Sequence, residues 1–333
     1  MSKLIVFLIL LVGCNCIGAQ QKIIFDTDFG GDADDLGALV MLHNYIDNDQ
    51  CDLLAVMSWS DEEYAVAGID AVNRFYNHPD IPIGTRKVPS DRIERCYGYA
   101  IASNFTHVLD NDSAMDASTL YRKILAKSKN KSVTIITVGP LKNIENLLNS
   151  KGDDISCMSG EKLVKKKVKE FVIMGGKYPN VKWEWNFSGG MEGVTKNVIE
   201  KLKTPITFVG AELGEVIKTG AIFNNIDQNT PLYKGFMHFS EYAPWMKEKF
   251  AGEILDNATF DQLAVLYAVE NGEGKYWQKI EGSYCKADNN GGNDWIKKKK
   301  SNHSYLKFVM KKSNIENHIE YLMLDNEKTR VKK

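Results

Sequence analysis

Short runs of aliphatic and β-branched residues alternate along the chain with longer segments whose apolar positions recur at helical spacing. KIIFDTD opens with a strand-type run, and DLGALVMLHNYI then carries Leu36, Leu39, Val40, Leu42, Tyr45 and Ile46 on one helical stripe. CDLLAVMSW predicts the next strand, EEYAVAGIDAVNRFYN a helix, IPIGT a third strand edge and STLYRKILAKS another helix. SVTIITVG, KEFVIMGG and PITFVGA are β-branched runs that each end at or near a glycine, and FDQLAVLYAVEN predicts a late helix. The lysine-rich GEKLVKKKVK reads as a surface turn, and the segment from Gly282 to Phe308 as a hairpin region with a solvated patch. Strand and helix in alternation predict an α/β fold: an open, mixed, mainly parallel sheet with helices on both faces, Rossmann-like, forming a single domain over residues 22–330.

The first 19 residues depart from this pattern. One lysine, Lys3, precedes an apolar run from Leu4 to Val12, too short to span a bilayer, so the segment predicts an export signal cleaved after Ala19. LVGC at Leu11–Cys14 supports a second reading, a lipoprotein signal that leaves Cys14 lipidated. Either way the protein is expected to be exported, secreted or periplasmic, with no transmembrane segment in its mature part. The formal net charge of −1 and a single short basic run at Lys297–Lys300 argue against a nucleic-acid partner. Beyond the signal, Cys51, Cys96, Cys157 and Cys285 lack metal-site spacing, which leaves disulfides or isolated thiols. Asn104, Asn111, Asn130, Asn186, Asn257 and Asn302 begin N-x-S/T sequons.

The chemistry concentrates where the first strand meets the first helix. Asp26, Asp28, Asp32, Asp34 and Asp35 are crowded together with no lysine or arginine among them. Carboxylates this close stay ionised only around positive charge. A divalent cation is the economical source, and an all-oxygen donor set suits calcium or magnesium over zinc. Helix capping accounts for one or two such residues, not five. In an open parallel sheet this loop lies at the carboxyl ends of the strands, where TVGPLKN, MGGKYPNVKWEWN and the start of FDQLAVLY also gather. In WEWN, period-2 alternation puts Glu184 and Asn186 on one face, free to meet a sugar, with Trp183 and Trp185 packing on the other.

DTDFGGDADDLGAL resembles the N-terminal fingerprint of the nucleoside hydrolases, with two residues inserted before the final aspartate pair as in exported, divergent branches of that family. GIDAVNRFYNHPDIPIG, the glycine-proline-leucine turn of SVTIITVGPLKNIENLL, FVIMGG with its following EWN, and FDQLAVLYAV resemble further family segments in the same order, over about residues 22–270. The resemblance implies calcium-dependent hydrolysis of the N-glycosidic bond of ribonucleosides, with one calcium per chain. It makes Asp28 both a calcium ligand and the general base, and adds Asp35, Asp261 and the carbonyl of Val138 as ligands. It places Asp34, Asn186 and Asp261 on the ribose 2′ and 3′ hydroxyls, and Asn180 and Glu184 on the 5′ hydroxyl. It also implies a possible homo-oligomer.

The family often carries a proton-donating histidine just before the late aspartate, where this chain has Phe260. His238, with Tyr242 and Trp245 as a stacking wall, is the replacement candidate; Tyr97, Tyr99 and His107 are weaker ones. Two alternatives stay open: an exported, non-catalytic nucleoside- or sugar-binding protein, and a magnesium-dependent phosphatase of the haloacid dehalogenase type. The second lacks the threonine or valine expected two positions after Asp28, where Gly30 stands.

Overall fold

A computed structural model describes residues 20–88, 90–297 and 301–325. Residues 1–19, which the sequence reads as an export signal, and Lys298–Lys300 of the basic run lie outside the described residues. The strands are β1 (Gln21–Thr27), β2 (Cys51–Ser58), β3 (Ile83–Thr85), β4 (Met115–Asp116), β5 (Val133–Thr137), β6 (Val168–Met174), β7 (Asn180–Val181), β8 (Ile206–Val209), β9 (Lys218–Thr219), β10 (Asn257–Ala258), β11 (Trp277–Ala287), β12 (Asn293–Lys297) and β13 (His303–Phe308). The helices are α1 (Ala33–Asp47), α2 (Ala65–Phe75), α3 (Gly98–Ala102), α4 (Ala117–Lys127), α5 (Lys142–Asn149), α6 (Gly160–Lys167), α7 (Trp185–Ser188), α8 (Val194–Lys201), α9 (Ala211–Gly214), α10 (Pro231–Tyr242), α11 (Asp261–Glu270) and α12 (Lys312–Leu324).

One sheet holds the fold together, in the order β4-β3-β2-β1-β5-β6-β8-β13-β11-β12-β7. From β4 to β13 neighbouring strands run parallel; β11, β12 and β7 complete the far edge by antiparallel pairing. The expected mixed, mainly parallel sheet is thus present. The central strands are apolar on both faces, and their alternate residues serve two different cores. Ile23, Phe25, Ile136 and Val172 face the layer that contains α1, α2, α10 and α11, while Ile24, Ile135, Phe171 and Ile173 face α4, α5, α6 and α8. Continuous apolar runs of this kind are what a sheet covered on both sides demands.

The chain moves outward from β1 through β2, β3 and β4, then returns to β5 on the other side of β1. The crevice between β1 and β5 is therefore a topological switch point, where loops diverge and leave room for a ligand.

Two local readings change. GEKLVKKKVK is the helix α6 rather than a turn: the Ser159 hydroxyl accepts from the backbone N–H of Lys162, and Leu163 and Val164 are buried. The helix within EEYAVAGIDAVNRFYN starts only at Ala65. Cys51, Cys96, Cys157 and Cys285 are all free thiols, which settles the cysteines as isolated. No described helix is long and apolar enough to cross a membrane.

Candidate active site

The aspartate loop is shaped by its glycines and by the neighbouring strand. Gly30 adopts φ +118°, a conformation L side chains rarely take, and turns the chain toward α1. Across the switch point, a Cβ on Gly139 would stand 2.6 Å from Asp28 Oδ1, so only glycine lets the β5 turn approach the carboxylate this closely. The N–H of Val138 donates to Asp26 O at 2.8 Å and ties the two strand ends together.

The five aspartates do not share one role. Asp26 faces away from the crevice, buried, where its carboxylate accepts from Tyr121 Oη at 2.6 Å and from Asn143 Nδ2 at 3.1 Å. Burial raises its pKa to about 7 against the pull of those two donors. Asp32 accepts from Asn257 Nδ2. Asp34 and Asp35, in the first turn of α1, lie beside Asp261, the first residue of α11, and the three can present oxygen atoms within 4.8 Å of one another. Asp34 Oδ2 also accepts the backbone N–H groups of Phe260 and Asp261, so it caps the start of α11. Two helix N-termini thus meet at the triad, and both dipoles favour negative charge there.

Thr27 Oγ1 donates to Asp35 Oδ1. Asp34, Asp35 and Asp261 are all held well above the ordinary carboxylate range, first by burial and then by the charge of neighbouring aspartates: Asp32 and Asp35 for Asp34, Asp28 and Asp32 for Asp35, Asp34 and Asp35 for Asp261. Asp28, partly accessible in the crevice, is raised to about 7, chiefly by burial, with Asp32, Glu184 and Asp61 repelling it. No lysine or arginine among the described residues forms an ion pair with any of these carboxylates. An all-oxygen, anionic and buried donor set without a protein counter-charge fits a hard divalent cation. The sequence reading put Asp28 with Asp35 and Asp261 and gave Asp34 to the sugar. In the structure Asp34 completes the compact triad, because successive residues of the first turn of α1 both face α11.

The opposite wall comes from the segment after β6. Glu184 is buried as the N-cap of α7: Oε1 accepts from the N–H of Asn186 at 3.0 Å, and Oε2 from those of Gly176 and Phe187 at 2.8 and 3.0 Å. Asn186 Nδ2 donates to Val138 O at 2.7 Å, which pins α7 to the end of β5. A carbonyl has two lone pairs, so Val138 O keeps one for a further partner.

The strand-like reading of WEWN is corrected here. Glu184 and Asn186 do share a buried location, but through a helix cap. Trp183 and Trp185 do not pack into the protein; they are 54 % and 59 % exposed and line the crevice. The cavity, about 650 Å³, is also lined by Asp28, the triad, Arg86, Arg95, Trp245 and Phe260. A cavity of this size accepts a small organic ligand.

Several predicted residues lie elsewhere. Asn180 is exposed in the edge strand β7, paired with Asp294, and does not line the cavity. The short loop leads it into sheet pairing instead of over the crevice. His238 is also outside the lining: its Nε2–H donates to Glu94 O at 2.8 Å and its ring stacks on Tyr242. Of its proposed neighbours only Trp245 reaches the cavity. Tyr97 is buried against Phe29, and His107 borders a separate cavity. Arg86 and Arg95 are lining residues that the sequence reading missed; both follow β3 in segments without a recognisable motif.

The strand-end crevice thus holds an aspartate triad, a further carboxylate beside it and tryptophans around it. The profile of the family described as inosine-uridine preferring nucleoside hydrolase matches residues 23–306, and the chain belongs to that family. The assignment displaces the dehalogenase-type phosphatase alternative. The fold is similar to that of a purine-preferring ribonucleoside hydrolase from Gardnerella vaginalis, at 14% identity and TM-score 0.64, covering 91% of this chain and 98% of the other. A plant nucleoside hydrolase has TM-score 0.66 at 14% identity, with 91% and 98% covered. An inosine-guanosine nucleoside hydrolase has TM-score 0.59 at 15% identity, with 92% and 99% covered. No curated protein sequence matches the chain.

Proposed function

We propose that the protein is a calcium-dependent ribohydrolase that releases a free base from a ribonucleoside-type substrate. The observation that carries this reading is the convergence of Asp34, Asp35 and Asp261 in the crevice that Asp28 also lines, with Glu184 and Asn186 on the opposite wall. Asp34, Asp35 and Asp261 would hold the cation, with Val138 O and Asp28 beside them. Calcium bound there supplies positive charge that lets the carboxylates ionise and makes a nearby water more acidic.

Asp28 accepts the proton of the attacking water as its oxygen bonds to C1′. The N-glycosidic bond breaks, and its electron pair leaves with the base nitrogen. The positive charge that grows on the ribose during this exchange is stabilised by the surrounding carboxylates. Asp261 and Asn186 face the sugar hydroxyls, and binding several of them fixes C1′ against the water. Glu184 acts mainly on the protein, because both its oxygens hold the backbone of α7 and Gly176. The tryptophans of the lining stack the departing base, and among the described residues the cavity lining holds no histidine to protonate it.

The test is ribose release from a panel of purine and pyrimidine ribonucleosides, with calcium and with a chelator. Chelator-sensitive release supports the reading. A protein that binds calcium and nucleosides but releases no ribose would instead be the non-catalytic binder.

A further inference from the structure

A base that departs from ribose carries away the electron pair of the N-glycosidic bond, so a cationic donor beside it lowers the barrier. The crevice runs past the aspartate loop to the segments after β2 and β3, where Trp59, Ser60, Asp61, Arg95 and Cys96 line it. On the other side Glu184 and Asn186, the latter pinned to Val138 O, close it. A ribofuranose carries its base and its 5′ carbon on the two ring carbons that flank the ring oxygen, so the two project from opposite ends of the sugar. A ribose whose 5′ end meets the Glu184–Asn186 wall therefore directs its base toward the β2–β3 side.

The cationic side chains of the lining are Arg86, Arg95 and Lys177, and two of them are committed elsewhere. Lys177 Nζ donates to both carboxylate oxygens of Glu215, at 2.9 and 2.7 Å. The Arg86 guanidinium lies on the Trp59 ring, 4.4 Å from its centroid, at the border with the adjoining cavity. Arg92, on the same segment as Arg95, lies on the Tyr99 ring at 4.0 Å and is not part of the lining. Arg95 is singled out by its position. It is half-buried, and its Nη1 stands 3.8 Å from the point where a Cβ on Gly31 would sit, so the guanidinium overhangs the loop that carries Asp28 and Asp32. It touches neither carboxylate closely enough to pair with it.

We infer that Arg95 is the catalytic electrophile for the leaving base, its N–H groups donating to an acceptor nitrogen or carbonyl oxygen of that base. The inference rests on the hydrolase reading above and names a residue for its leaving-group step. As the water oxygen bonds to C1′ and gives its proton to Asp28, the C1′–N bond breaks and its electron pair goes to the base nitrogen. The guanidinium stabilises the resulting anion by charge-assisted hydrogen bonds and keeps all its protons, since arginine does not deprotonate in proteins. Water entering the crevice then protonates the base. Holding the anion takes the place of handing it a proton, so the step needs no histidine.

The test measures kcat/KM at saturating calcium for inosine and uridine, whose bases leave poorly, and for 4-nitrophenyl β-D-ribofuranoside, whose nitrophenolate leaves without help. Arg95→Gln should lower the value by about 10² for the nucleosides and by only about threefold for the nitrophenyl riboside. Arg95→Lys, which keeps the charge but loses the planar fork, should recover part of the nucleoside loss. Calcium affinity, read by titration calorimetry, should be the same in all three proteins, whereas removing an arginine that only balances the aspartates would tighten it. Equal losses on both kinds of substrate, a loss that follows a change in calcium affinity, or a wild-type protein that cleaves only the nitrophenyl riboside overturns the inference and leaves the hydrolase reading standing. If only the nucleosides are cleaved, the titration decides: a loss of about 10² at unchanged calcium affinity supports Arg95. If none of the three is cleaved, the hydrolase reading fails and the inference with it.

Discussion

Asp28 and Gly139 form a pair in which one residue supplies chemistry and the other supplies space. Asp28→Asn removes the proton acceptor while keeping size and hydrogen bonding, and should lower kcat by about 10²–10⁴ with substrate binding retained. A single-turnover assay beside a binding isotherm separates the two quantities. Gly139→Ala tests the space: the new methyl would meet Asp28 Oδ1 at 2.6 Å and Cγ at 2.8 Å. Displacing that carboxylate should cost about 10² in kcat/KM with little change in melting temperature. An alanine variant of full activity would show that Asp28 need not hold its position. At this scale the aspartates were legible in the sequence, because their crowding has few explanations. Arg86 and Arg95 were not, since a lone arginine in a loop carries no pattern.

Single elements acquire their meaning from what they cap. Glu184 looked like one face of a strand because alternation was the pattern in WEWN, yet its carboxylate holds three backbone N–H groups and starts α7. Glu184→Ala should therefore lower stability by about 2 kcal/mol or more and loosen the wall that carries Trp183 and Trp185. Urea unfolding would measure the first effect and a raised KM the second; an unchanged unfolding midpoint would remove Glu184 from its capping role. The same logic rescued α6 from its lysines: a serine cap and a buried Leu163–Val164 pair outweigh a polar composition.

For the molecule as a whole, cation binding and folding are linked. Calcium that binds only the folded chain should stabilise it by about 2.7 kcal/mol at a hundredfold excess over Kd. Differential scanning fluorimetry should show the rise, a chelator should reverse it, and Asp261→Asn should abolish it. No shift with either calcium or magnesium would remove the metal from the proposal.

A second global effect comes from His43, buried far from the crevice. Its Nε2 lies 2.9 Å from Asn73 Oδ1 and its Nδ1 2.9 Å from His78 Nδ1. Burial, aided by His78, lowers its pKa from 6.5 to about 3. Between those values the unfolded chain binds a proton that the folded chain refuses, so stability falls as pH drops below about 6.5, by about 1.4 kcal/mol per pH unit from this group. His43→Gln should flatten the slope of unfolding free energy against pH between 6 and 4. An unaltered slope would show that His43 is protonated in the folded protein.

The sequence alone determined the alternation of strand and helix and the switch-point location of the aspartates. Each of these depends on local pattern or on a dense cluster of one chemical type, which survives reading in one dimension. Only the tertiary structure decided that Asp34 joins Asp35 and Asp261 while Asp26 turns inward. Helix phase and the docking of α11 on α1 set those directions. It also decided that Asn180 pairs within a sheet edge, that His238 faces a backbone carbonyl, and that two arginines overhang the crevice. Those outcomes depend on where distant segments meet, and no spacing along the chain encodes that meeting.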